Sequence, residues 1–241
     1  MLKLDILVLS VHPDDAELGC AGTLLKHIAL GKKAGIIDLT LGELGTRGTA
    51  EIRAAEAAAS AEILGLAVRE NLEIPDGFFE NTKEYQLKVI EAIRKYQPEI
   101  IITNAYHDRH PDHGRANQLV EASVFLSGLR RIETFSNGEL QDVWRPNLLL
   151  HFIQDRYIQP DILIDITEHW DKKVASVMAF GSQFHNPDWD PNEPQTYISS
   201  PDFIKVVEAR ALEFGKNIGV RYAEGFTSTK ILGVDNLFNL R

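Results

Sequence analysis

Cysteine occurs once in the 241 residues, at Cys20. No intrachain disulfide can form, and a metal site built on several thiolates is excluded. Positive charge is also scarce, with 25 lysines and arginines against 35 aspartates and glutamates and a formal net charge of -10. Such a chain lacks the basic stripe that neutralises phosphates, so nucleic acid is not an expected partner and an anionic ligand requires a local cationic pocket. No apolar run approaches the roughly 18 residues of a membrane span, and Asp5 interrupts the first apolar stretch with no small-residue cleavage site behind it. These absences predict a cytoplasmic chain without a membrane partner. Ser10 has no Gly-x-Ser-x-Gly elbow and no Gly-Lys-Ser/Thr follows Gly42, Gly45 and Gly48, which disfavours a serine hydrolase and a phosphate cradle.

What is present is an ordinary globular composition, 44% hydrophobic and 25% charged, at a length that suits one domain over residues 1–241. Leu4 to Val11 is a continuous apolar run, as expected of a strand buried on both faces. Helical spacing follows from about Gly22 to Leu30, ending at Gly31, and Ala34 to Leu41 reads as a second strand. Glu51 to Leu64 is an alanine-rich helix stopped by Gly65; Thr82 to Tyr96 is another, before Pro98, and Glu99 to Thr103 is a strand. Leu148–Phe152 and Ile162–Ile166 look like strands, and Glu168–Phe180 and Phe203–Gly215 like helices. This alternation predicts an α/β fold, a single-domain, mostly parallel Rossmann-like sheet flanked by helices. Ligands in such sheets collect beyond the carboxyl ends of the strands, so loops 12–20, 42–49 and 104–114 should share one rim. Residues 183–202, rich in proline, asparagine and aspartate, read as an irregular loop that covers a site.

Two clusters carry chemistry, and both stand at strand ends: His12-Pro13-Asp14-Asp15, and His107-Asp108-Arg109-His110-Pro111-Asp112-His113. A catalytic zinc takes three ligands from His, Asp or Glu and leaves a fourth position for water. His12 and Asp15 can supply two ligands, and His110 or His113 the third. Side chains of adjacent residues diverge, so one of Asp14 and Asp15 can ligate while the other accepts a proton. With Pro111 in the first turn of a helix, His110 and His113 share a face, so one can bind metal while the other donates to an oxyanion. Asp112 either orients a histidine or caps the helix beginning near Gly114.

The stretch VHPDDAELGCAGTL together with HPDH resembles the LmbE or PIG-L family of zinc-dependent N-deacetylases. LGELGTRGTAEIRAAEAAASAEILG, YHDRHPDH and FGKNIGVRYAEGF look most like its bacillithiol-biosynthesis deacetylases, whose substrate is N-acetylglucosaminyl malate. Val11 stands where the family usually has a smaller residue. The resemblance implies an LmbE-like fold, zinc, with iron(II) an alternative, bound by His12, Asp15 and His113, Asp14 as general base, and a protonated His110 assisting in the transition state. It also implies an amino-sugar conjugate as small-molecule partner and a homo-oligomer such as a hexamer. Arg53 and Arg109, on the expected rim, are candidates to hold an anionic end of that substrate, because arginine pairs bidentately with carboxylates; the plainer reading is an ion pair with Asp108, Glu51 or Glu56. Tyr197 in the 183–202 loop is a further substrate-binding candidate, and Arg47 and Glu43 are weaker ones. His185 and Trp189 in that loop are open candidates, His27, His151 and His169 read as packed or solvated, and Glu17 as a charge in the first turn of a helix.

Overall fold

The apolar run that opens the chain becomes β1 (Ile6–Ser10), buried along its whole length. In the computed structural model, which describes residues 2–188 and 192–239, its side chains divide by the strand period of two. Leu7 and Leu9 pack with Val89, Ile93 and Leu119 on one face; Ile6 and Val8 pack with Leu24, Ile36 and Phe152 on the other. A strand covered on both faces must be apolar at successive positions, as this one is. The strands β2 (Ala34–Asp38), β3 (Val68–Asn71), β4 (Ile100–Asn104), β7 (Leu148–Phe152), β8 (Ile162–Asp165) and β9 (Ala223–Thr227) complete a sheet of order β3-β2-β1-β4-β7-β9-β8. The first five strands of that order run parallel, and β9 is antiparallel to both its neighbours. A two-stranded hairpin, β5 (Phe135–Ser136) and β6 (Glu139–Leu140), stands apart.

The helices α1 (Asp15–Ala29), α2 (Ala50–Leu64), α3 (Lys83–Tyr96) and α4 (Pro111–Ser127) connect the parallel strands, and α5 (Trp170–Met178) and α6 (Phe203–Ile218) precede β9. The result is the expected single α/β domain with a mostly parallel sheet between helices. Among the described residues no helix is long and apolar enough to cross a membrane.

Several boundaries differ from the sequence expectation, for identifiable reasons. α1 starts at Asp15 rather than near Gly22, because Gly19 and Gly22 lie inside it as contact points: a Cβ on Gly19 would sit 2.2 Å from the Phe152 ring, and one on Gly22 2.7 Å from Ile166. α4 starts at Pro111, not near Gly114, and its N-cap is His110, so Asp112 sits in the first turn and does not cap it. The helix expected over 168–180 is a 3-10 turn (Thr167–His169) followed by α5. β3 and β9 escape the apolar pattern because each buries a charged residue, Arg69 and Glu224. The hairpin turns on Asn137-Gly138, both at positive φ (52° and 81°), a two-residue turn signal that the sequence carries.

Candidate metal centre

The ends of β1 and β4 are hydrogen-bonded neighbours in the sheet, and this brings the two histidine clusters together. His12 follows β1 and His113 lies in the first turn of α4; their ring centroids are 5.9 Å apart, with His110 4.8 Å from His12 and 5.5 Å from His113. Asp15, the first residue of α1, sits between: its Oδ2 is 3.5 Å from His12 Nδ1 and its Oδ1 3.3 Å from His113 Nε2. Each of these two rings is held from behind by a carboxylate. His12 Nε2 bonds Asp76 Oδ1 at 2.9 Å, and His113 Nδ1 bonds Asp108 Oδ2 at 2.7 Å. A carboxylate only accepts, so each ring keeps a proton toward its outer carboxylate, and the inner nitrogen facing Asp15 is the one that offers a lone pair once its proton is lost. Asp15 is fixed in turn by the His12 amide (3.0 Å), Asn104 Nδ2 (3.2 Å) and Gln154 Nε2 (2.8 Å).

The ligand atoms of His12, His110 and His113 also lie within 4.8 Å of one another, as do those of His12, Asp76 and Asp112. Burial opposes positive charge on His12, yet the Asp112, Asp15 and Asp76 carboxylates raise its pKa well above the usual value. Burial likewise opposes charge on His113, which Asp15 and Asp108 raise to about 9. The pocket therefore favours a cation where these groups meet. Imidazole and carboxylate donors, with outer carboxylates fixing each ring, suit Zn2+ or Fe2+.

Asp14 lines the same pocket but bonds a different partner. Its φ of 121° is a conformation that side-chain-bearing residues rarely adopt, and its side chain makes no helix-capping bond. Instead its Oδ2 accepts from Arg53 Nη2 at 3.1 Å. Burial pushes the Asp14 carboxyl up, Arg53 pulls it back, and the outcome is a pKa of about 7. Arg53, expected at an anionic end of the substrate, is 4% exposed and its guanidinium is otherwise engaged by the carbonyls of Pro13 and Gly42. Neither does it pair with Asp108, Glu51 or Glu56; its carboxylate partner is Asp14.

At His110, for which the resemblance implies a protonated ring in the transition state, the surroundings oppose the positive charge. Burial and then the neighbouring His12 and His113 lower its pKa, and its Nδ1 accepts the Asp112 amide at 3.3 Å. The neutral ring therefore carries its proton on Nε2, where it is a donor. Arg109 and Tyr197 lie at the rim of the same pocket, about 310 Å³ in volume, with the Arg109 guanidinium 5.2 Å over the Tyr197 ring. Gln183, Thr196 and Ile198 of the 183–202 loop also line it. His185 is exposed and not part of the lining; Trp189 lies outside the described residues.

Four residues of the site lie outside the sequence expectation. Asp76 follows the unrecognised β3, and Glu43 supports it by accepting the Asp76 amide at 2.8 Å. Asp108, by sequence a candidate partner for Arg109, bonds His113 instead. Asn104 and Gln154 stand at or just past the carboxyl ends of β4 and β7, where the strand-end rule points. Glu17 lies in the first turn of α1, as expected, and is fully buried there, paired with Arg69 and Ser60.

Residues 7–124 match the sequence pattern of the PIG-L family, described as GlcNAc-PI de-N-acetylase. The diacetylchitobiose deacetylase of Thermococcus kodakarensis is 29% identical, over 91% of this chain and 81% of that protein. The 4-oxalmesaconate hydratase of Pseudomonas putida is 25% identical, over 96% of this chain and 91% of that protein. Among solved structures, the conserved protein TT1542 from Thermus thermophilus superposes with a TM-score of 0.84 at 36% identity, covering 96% of this chain and 98% of that one.

Proposed function

We propose, from the premise that the chain belongs to the PIG-L family, that it is a metal-dependent deacetylase of an N-acetylglucosamine unit. The observation that carries this reading is the divergence of two adjacent aspartates. Asp15 faces the inner nitrogens of His12 and His113, while Asp14, at a positive φ, lines the same pocket and is held on Arg53. Simple metal binding has no use for a second carboxylate kept apart in this way; hydrolysis needs a base there.

His12, Asp15 and His113 would hold the metal. Zinc, or iron(II) on the same donors, supplies a Lewis acid that acidifies water and polarises an amide carbonyl. Asp14 takes the proton of the attacking water, with Arg53 keeping its carboxylate oriented. The Nε2–H of His110 donates to the oxygen on which negative charge develops as the carbonyl carbon becomes tetrahedral. The C–N bond then breaks, and the amine leaves with the proton taken up by Asp14. Water and amide are consumed; acetate and a free amino sugar are formed.

The finer reading is N-acetylglucosaminyl malate as substrate in bacillithiol synthesis, within a cytoplasmic homo-oligomer. Its support is the sequence resemblance and a cation, Arg109, on the pocket rim. Acetate release from the zinc-loaded protein tests both levels. Turnover of N-acetylglucosaminyl malate well above free N-acetylglucosamine and diacetylchitobiose is expected. No acetate from any of the three removes the deacetylase reading, and equal rates remove the malate reading alone. A second reading, addition of water to an unsaturated dicarboxylate, is favoured by the likeness to the Pseudomonas hydratase; ultraviolet loss of a conjugated diacid in place of acetate release would establish it.

A further inference from the structure

Beside the metal pocket a second, narrow cavity of about 60 Å³ runs along α6, and both are lined by Leu18, Arg109, His113, Gln154, Tyr197 and Ile198. Its other walls include Ile153 after β7 and Val206, Val207 and Phe214 of α6. The cavity is therefore a mostly apolar extension of the site, with Asp155 and the Lys173–Glu224 ion pair also in its lining. Arg210 of α6 also lines it.

The state of that guanidinium is informative. Nη2 donates to the Asp155 carbonyl at 3.0 Å, Nε is 3.8 Å from Glu213, and the group lies 5.5 and 5.7 Å over the Tyr157 and Phe214 rings. Nη1 is buried and has no hydrogen-bond partner among the described residues. Stacking and one carbonyl thus fix the plane of the fork, and one of its donors is left over. A buried donor without an acceptor is costly, and for a charged group more so. Arg109 shares the cavity, and its contact with Asp155 is a loose 3.6 Å. Arg53 also keeps one buried donor, Nε, without a partner among the described residues, but its terminal nitrogens are engaged by Asp14 and two carbonyls and it lines the metal pocket, not the second cavity.

We propose that Arg210, together with Arg109, binds the anionic end of the substrate in the cleft along α6, with Ile153, Val207 and Phe214 against the carbon chain that carries the carboxylate. The substrate class is accordingly an amino-sugar conjugate whose aglycone is short, carboxylate-bearing and partly apolar. This inference rests on the deacetylase reading and moves the anion site from Arg53 to α6.

The test compares wild type, Arg210→Met and Arg210→Lys on N-acetylglucosaminyl malate and on the methyl glycoside of N-acetylglucosamine. Loss of a charge-assisted bond predicts that the malate-to-methyl ratio of kcat/KM falls roughly ten- to a hundredfold in Arg210→Met, mainly through KM for the malate conjugate. Arg210→Lys should recover part of the ratio, since it restores charge but not the fork. An unchanged ratio in Arg210→Met, at a wild-type melting temperature, overturns the proposal. Calorimetric titration of free malate into the zinc-loaded proteins is the measurement independent of turnover. Weaker binding to Arg210→Met than to wild type supports the subsite even if no acetate is released and the deacetylase reading fails; binding to Arg210→Met equal to wild type, or absent from wild type, overturns it.

Discussion

Two carboxylate clusters flank the start of α1, and they differ in the cation each one faces. On one side Asp15, Asp76 and Asp108 meet the imidazoles of His12 and His113. On the other, Glu17 and Asp38 meet Arg69, whose fork engages Asp38 through Nε (2.9 Å) and Nη2 (3.2 Å) and Glu17 through Nη1. Burial opposes the charge of Arg69, yet Asp38 and Glu17 raise its pKa further, so it is permanently protonated. That second cluster is closed: its positive charge cannot be exchanged for anything else. An imidazole can lose its proton and offer a lone pair instead, and only the first cluster can accept a metal ion. Fixed against exchangeable positive charge separates scaffold from site across a single helical turn.

The sharpest break of this contrast is at Asp14. Asp14→Asn should lower kcat by roughly 100- to 10,000-fold, the contribution of a general base, while metal content measured by emission spectroscopy stays at the wild-type level. Loss of metal in that variant would place Asp14 among the ligands. On the closed side, Arg69→Met leaves two buried carboxylates without their partner and should cost about 3–5 kcal/mol, a fall in melting temperature on the order of 10 °C. Adding Glu17→Gln and Asp38→Asn should restore much of it, and a triple variant no better than the single one would remove the ion-pair explanation. A smaller effect is expected for Asp108→Asn, which loosens the His113 ring; metal affinity by chelator competition should weaken about 10- to 100-fold. Unaltered affinity would mean that Asp108 does not orient the ligand.

The smallest effect concerns an imidazole that belongs to neither cluster. His151 in β7 is 1% exposed and neither ring nitrogen has a hydrogen-bond partner among the described residues. Burial lowers its pKa below the ordinary 6.5. The unfolded chain therefore takes up a proton that the folded one refuses, so His151 removes stability as pH falls below about 6.5 toward its folded value. Urea unfolding of the metal-free protein at pH 7.5 and 5.5 should show a smaller loss of stability on acidification in His151→Leu than in wild type. Equal losses would show that the buried ring does not titrate on unfolding.

How far the sequence could be read follows the same division. β1, β2, β4 and β7 were legible because burial on both faces writes a continuous apolar run. The rim was legible because His12, Asp14, Asp15, His110 and His113 fall directly after such runs. β3 and β9 were not, since Arg69 and Glu224 interrupt them and the residues that neutralise those charges, Glu17, Asp38 and Lys173, are distant in sequence. Missing β3 also hid Asp76. The direction of Arg53 depended on the turn at Asp14, and composition and spacing carry no information about a φ of 121°.

That turn has a consequence for anyone engineering this chain. Position 14 suits glycine better than any residue with a side chain, and holding an aspartate there costs on the order of 1–3 kcal/mol. Variants selected for heat resistance alone would drift toward glycine at 14, with Arg53 kept on the Pro13 and Gly42 carbonyls but without its carboxylate. That step would look like an improvement in a melting curve, and the first property discarded would be turnover.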